Sequence, residues 1–82
     1  MKRSLNKWHK VKKQAARRDH DECIICHAKA TDVHHVVYRS QLGKDEIHNV
    51  VCLCRACHEM AHGIHAKQMR KMFQAYLANH RE

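Results

Sequence analysis

The sequence predicts a small α+β domain, and three observations predict it. Apolar residues recur at helical spacing near both ends: Leu5, Trp8, Val11 and Ala15 at one, Met69, Met72, Phe73, Tyr76 and Leu77 at the other. Two β-leaning runs lie between them, Thr31 to Tyr38 and Val50 to Leu53. Four of the five cysteines form two C-x-x-C pairs, one ahead of the first run and one directly after the second. With 82 residues there is room for one domain, and a core of that size is often marginal without a staple.

Each element follows in order. Residues 5–18 read as a helix with basic residues between its apolar positions, ended by Asp19 to Glu22. Cys23-Ile-Ile-Cys26 reads as a tight metal knuckle. The two β-leaning runs pair as an antiparallel hairpin, joined through the polar, Gly43-containing stretch Ser40 to Glu46. Cys57 to Met60 begins a helix that Gly63 stops or bends. A last helix spans about 65–79. The single domain divides into a basic arm (1–22), a core (23–63) and a packing helix (64–82).

Charge is unevenly placed. Residues 1–18 carry eight basic residues and no acid: Lys2, Arg3, Lys7, Lys10, Lys12, Lys13, Arg17 and Arg18. Residues 19–63 hold four basic and seven acidic residues, and the whole chain is +8. A basic arm beside a slightly acidic middle attracts a polyanion, and nucleic acid is the usual one. Lys7, Lys10, Lys12, Lys13, Arg17 and Arg18, with Arg39 at the end of the first run, are the expected DNA contacts. No apolar run is long enough to span a membrane, and the basic start has no apolar stretch behind it. The expectation is a soluble, cytoplasmic protein.

The cysteines favour metal over disulfides, because their number is odd and the pairs have ligand spacing. Cys23, Cys26, Cys54 and Cys57 can close one tetrahedral four-thiolate site, which suits zinc and leaves no open position. Cys52, on an apolar strand, is expected to be a buried or half-buried thiol. The histidines add a second site. His58 and His62, four apart, share one face of a helix. His34 and His35 are strand neighbours and point to opposite faces. One of them completes a three-histidine site with positions open for water and phosphate; the other stays free as a general base.

The ordered set Cys23-x-x-Cys26, His34-His35, Asn49 and Leu53-Cys54-x-x-Cys57-His58-x-x-x-His62 resembles the HNH endonuclease family. The resemblance covers residues 23–62. It implies the ββα-metal (His-Me finger) hairpin-helix core, here with a four-cysteine zinc knuckle and flanking helices. It implies His34, His58 and His62 as ligands of a catalytic divalent ion (Mg²⁺, Mn²⁺, Ni²⁺ or Zn²⁺) and structural Zn²⁺ on the four cysteines. It implies His35 as the general base that takes a proton from water, and Asn49 as the residue fixing the geometry that orients it. Hydrolysis of DNA phosphodiester bonds, by nicking or double-strand cutting, would leave 5′-phosphate and 3′-hydroxyl ends, with the hairpin in the minor groove; the sequence shows no base-reading helix, so little sequence preference is expected. Two positions depart from the family pattern: Tyr38 stands where many members have Pro, and His27 where the knuckle often continues with Gly. His27 suggests a different backbone geometry there and offers a spare zinc ligand.

The alternative from another class is a non-catalytic, zinc-stabilised DNA-binding adaptor. It needs only the four cysteines and the basic arm, and leaves the histidines and Asn49 without a purpose. Partners beyond DNA, such as other phage or bacterial DNA-processing proteins, and a monomeric or homodimeric state stay open.

Overall fold

The structure, a computed structural model, describes residues 5–80, without the side chain of Leu5. Lys2 and Arg3 of the basic arm lie outside the described residues. The elements are α1 (Leu5–Arg18), β1 (Asp32–His35), β2 (Val50–Leu53), α2 (Arg55–Ala61) and α3 (Ala66–Asn79). Single 3₁₀ turns occupy Arg39–Gln41 and Ile47–Asn49.

The centre is an antiparallel hairpin in which Asp32 faces Leu53, Val33 faces Cys52, His34 faces Val51 and His35 faces Val50. All four residues of β2 are buried, because both faces of the hairpin are covered. Side chains alternate along a strand, so odd and even positions enter different cores. Val51 and Leu53 pack with Cys23, Cys57, Met69 and Phe73 of the knuckle, α2 and α3. Val50 and Cys52 pack with Val11 and Ala15 of α1, Trp8 and Val33 lying at the edge. The same alternation divides β1. His34 faces α2 and α3 and is 4% exposed; His35 faces α1.

The first β-leaning run was expected to reach Tyr38, but pairing stops at His35. The cause is Asn49. Its carboxamide oxygen accepts from the Val37 N–H at 2.8 Å, and its amide donates to the carbonyls of Val37 and Lys44, each at 3.0 Å. A side chain thus takes the backbone groups that a longer strand would pair. The connection also packs closely: a Cβ on Gly43 would collide with the Val37 carbonyl, so this position admits only glycine. Part of the expected plain loop is helical, the Arg39–Gln41 turn, closed by Leu42 in the left-handed region at φ 65°.

Two further boundaries differ from expectation. α2 starts two residues before Cys57, because Cys54 caps it: its sulfur accepts from the Cys57 N–H at 3.4 Å. On α3, Met69 and Phe73 are buried while Met72 is largely exposed, so the apolar stripe is narrower than its sequence spacing suggested. His27 also differs from the expectation of altered geometry. Its φ is 65°, the left-handed conformation that glycine adopts without strain. Its ring faces Glu22 at 3.5 Å and is not grouped with the cysteines.

Arg18 requires a correction. Read from the sequence as a DNA contact, its side chain is only 5% exposed. Its guanidinium donates to both Asp19 carboxylate oxygens (2.7 and 2.8 Å) and to the carbonyls of Ile47 (2.8 Å) and Val50 (2.7 Å). The amphipathic turn that buries Val11 and Ala15 carries Arg18 inward, where it joins α1 to the hairpin. Asp19 also accepts from the Cys52 N–H (3.0 Å) and the Tyr76 hydroxyl (2.6 Å), which adds α3 to the junction.

Asp19→Asn is expected to cost about 3 kcal/mol in denaturant unfolding, since removing one partner leaves the other charge buried. Burial alone would raise the Asp19 carboxyl, but the hydrogen bonds from Arg18, Tyr76 and the Cys52 N–H outweigh it and hold it below the ordinary range. The stabilisation is therefore complete above about pH 4 and lost as pH falls through the lower folded value. That part of the acid transition should be missing in the variant. A stability loss under about 0.5 kcal/mol would show the junction to be dispensable.

Candidate active site and metal centres

The two cysteine pairs meet where the knuckle lies against the start of α2. One ligand atom from each of Cys23, Cys26, Cys54 and Cys57 lies within 4.8 Å of all the others. Tetrahedral coordination at about 2.3 Å separates sulfurs by about 3.8 Å, and Cys26 Sγ stands 3.6 Å from Cys54 Sγ. The donor set therefore fits zinc in both chemistry and spacing. Burial pushes the Cys23 thiol up, but the N–H groups of Cys26, Cys54 and Ile25 aimed at its sulfur outweigh that and bring it to about 6. Burial and the neighbouring sulfurs push Cys57 up instead, so Cys23 is the thiol of the cluster drawn toward its charged form. Cys52 is different: burial, reinforced by the Asp19 charge, raises it to about 12, and it sits in the other core as an inert thiol.

The second cluster is His34, His58 and His62, whose ligand nitrogens also lie within 4.8 Å of one another. His58 Nε2 and His62 Nε2 are 3.3 Å apart, the separation that two ligands at about 2.05 Å take in tetrahedral coordination. Asp32 Oδ2 holds His58 Nδ1 at 2.9 Å and is itself held by Arg55 Nε at 3.1 Å. This leaves Nε2 of His58 as the ligand atom, in the carboxylate–histidine arrangement that fixes metal ligands. Burial, then the neighbouring His58 and His62, lower His34 to about 4, so its lone pair is available at neutral pH. Its ring rests edge-on against Phe73, centroids 5.5 Å apart.

His35 points the other way along the strand normal. Its Nε2 is 2.7 Å from Asp45 Oδ1. The Trp8 indole stacks on its ring, centroids 4.9 Å apart. The Arg39 guanidinium lies 4.8 Å from the Trp8 ring centroid and 3.5 Å from Asp45. Although His34 and His35 face different cores, both open on one cleft of about 500 Å³, shared with His58 and His62 and walled by Trp8, Tyr38 and Arg39.

The expected site residues thus fall into two clusters with other positions around them. The four cysteines lie together. His34, His58 and His62 lie together, with His35 beside them. Asn49 touches neither group and bonds only to backbone, holding the turn that follows His35. Lys7, Lys10, Lys12, Lys13 and Arg17 are exposed on α1, with Lys12 Nζ 5.8 Å from the Trp8 ring centroid. Arg39 stands at the cleft.

Four residues were not singled out by sequence. Trp8 reads there as part of a core stripe, and a helix period does not reveal that its ring covers His35. Asp45 is ten residues from His35 in an irregular loop, with no spacing rule to link them. Arg70 lies 5.3 Å from the Tyr38 ring centroid, bringing a cation of α3 toward the histidines. Asp32 alone had a usable signal: two residues before His34, it shares that face of the strand.

Together, fold and site define a small metal-binding module. A hairpin and a short helix present three histidines beside a fourth, braced by a four-cysteine knuckle. The family model for HNH endonuclease matches residues 23–63, half of the chain, and the protein belongs to the HNH endonuclease family. The match begins at the first knuckle cysteine and ends one residue after His62, leaving α1 and α3 outside it. Members of this family are generally nucleases, and DNA is the substrate that membership implies. No curated protein matches the chain. No helix among the described residues is long and apolar enough to cross a membrane.

Proposed function

We propose that the protein is a metal-dependent DNA endonuclease in which His35 is the general base. The observation that carries this reading is the shared cleft: a three-nitrogen ligand set and a separate imidazole open on the same space. A divalent ion held by His34, His58 and His62 would supply Lewis-acid neutralisation of the phosphate and the departing oxygen. The chain's own groups do the rest. His35 takes a proton from water. Asp32 fixes the ring of His58 through Nδ1. Arg39 lies at the cleft rim, placed to bind a phosphate oxygen. Asn49 holds the turn after His35 and acts as a positioning residue.

The adaptor reading accounts for the four cysteines and the basic helix. It gives no purpose to a second donor set that converges to ligand spacing next to a fourth histidine. The test is conversion of supercoiled plasmid to nicked or linear DNA in Mg²⁺, Mn²⁺ or Ni²⁺, beside an EDTA control. DNA binding without cleavage in every metal would favour the adaptor.

The exposed cations of α1 supply the sequence-independent attraction. Replacing Lys10, Lys12, Lys13 and Arg17 with glutamine is expected to flatten the plot of log affinity against log salt by about 0.9 for each cation that sits on a phosphate. Fluorescence anisotropy with a short duplex measures this. An unchanged slope would place the duplex on another surface.

A further inference from the structure

The family match explains why a histidine stands at position 35, but not what holds its ring. Two contacts do so, and both come from outside the strand and short helix that carry the motif; a third residue, Arg39, braces one of them. Trp8 of α1 stacks on the ring at 4.9 Å with a 25° interplanar angle. Asp45, in the loop between the strands, takes Nε2 at 2.7 Å, and both side chains are largely buried, at 11% and 9% exposure. Arg39 Nε stands 3.5 Å from the same carboxylate oxygen.

A carboxylate is an acceptor, so the hydrogen in this contact sits on Nε2. A neutral imidazole with Nε2–H carries its lone pair on Nδ1. His35 lines the catalytic cleft and Asp45 does not; Asp45 lines a separate hollow between α1 and the loop. The Nε2 edge is thus tied toward the loop, and the edge left to the cleft is the Nδ1 edge.

Resting on the endonuclease reading above, we infer that Asp45 is the positioning residue of the general base, holding His35 as the Nε2–H tautomer so that Nδ1 receives the proton of the attacking water. In the step this serves, a water O–H bond breaks and its proton passes to Nδ1. The hydroxide electron pair forms a bond to phosphorus as the bond to the 3′ oxygen breaks. That oxygen takes a proton from solvent, and His35 later returns its own. The carboxylate faces the imidazolium while it is charged, the arrangement in which a buried acid orients and stabilises a histidine base.

The experiment uses the zinc-loaded full chain. Nitrogen-15 NMR of the histidine rings should show His35 with a slowly exchanging, downfield Nε2–H proton. In Asp45→Ala that proton should be lost to exchange with solvent. Asp45→Asn keeps an acceptor oxygen and should retain the proton. Single-turnover nicking should fall about 10–100-fold in the alanine variant and recover in part in the asparagine variant, with DNA affinity changed less than about twofold. Retention of the protected proton in Asp45→Ala, or nicking within twofold of wild type, would overturn the inference. So would a slowed alanine variant whose ring signals are unchanged. If the alanine variant does not fold, Asp45→Ser, whose shorter side chain falls short of Nε2, takes its place with the same two expected losses and the same overturning results. A wild type that nicks DNA in no metal sinks the endonuclease reading instead, and the two failures are separable because the ring signals are read without DNA or turnover.

Discussion

His35→Ala is expected to slow nicking by about 10²–10⁴-fold, the share of a barrier that a positioned proton acceptor supplies. The fold should survive. His35 sits at the edge of the α1 core, and its loss leaves Asp45 with Arg39 3.5 Å away, so no carboxylate is left buried alone. The four cysteines and the three-histidine cluster do not depend on it, so zinc content, melting temperature and duplex affinity should stay close to wild type. His58→Ala separates the roles. It removes a ligand and one of the two partners of Asp32, and excess metal should partly restore its rate, whereas no metal concentration should rescue His35→Ala. The decisive readout is nicking rate against metal concentration for both variants. Equal rates for wild type and His35→Ala would remove this imidazole from the mechanism and leave the three-histidine cluster without its base.

How far the sequence foretold this site depends on the range of the physics involved. Local periodicities carried well. Alternation along a strand separates His34 from His35, and helical spacing puts His58 beside His62; both follow from covalent geometry. The cysteine pairs were legible because few side chains do anything else at that spacing. What stayed hidden depends on partners distant in the chain. Arg18 is one of eight cations in an arm, and nothing local says that its partners are carbonyls 29 and 32 residues away. Asp45 looks like any loop carboxylate until the hairpin closes and brings it to His35. Asn49 was read from the family resemblance as orienting the base, and its contacts show an indirect means: it takes the backbone of Val37 and Lys44, ending β1 just after His35. Trp8 and Arg70 come from helices outside the family match, so no motif points to them.

Removing the four-cysteine site should unfold the protein and take the histidine cluster with it. A Cys57→Ser variant, or wild type in a strong zinc chelator, is expected to lose its dispersed NMR spectrum and much of its helical circular dichroism. The magnitudes decide this. Zinc bound to four thiolates contributes about 10–16 kcal/mol to folding in small domains, while a whole domain is stable by about 5–15 kcal/mol. Position adds to the effect. Cys23 and Cys57 are buried in the core with Leu53, Met69 and Phe73, so the staple and the larger apolar cluster are one object. Cys57 and His58 are adjacent on α2, so a helix released by its cysteine cannot hold His58 and His62 at 3.3 Å. Protons compete with the metal for sulfur, so the loaded fold should be lost as pH falls and the thiolates take up hydrogen. Zinc added back after dilution of the chelator should restore structure in proportion to one equivalent, and Mg²⁺ should not, because thiolates bind it poorly. A chelated protein that keeps its NMR dispersion would show that the apolar cores and the Arg18–Asp19–Tyr76 junction suffice, and that the four cysteines only rigidify a fold already formed.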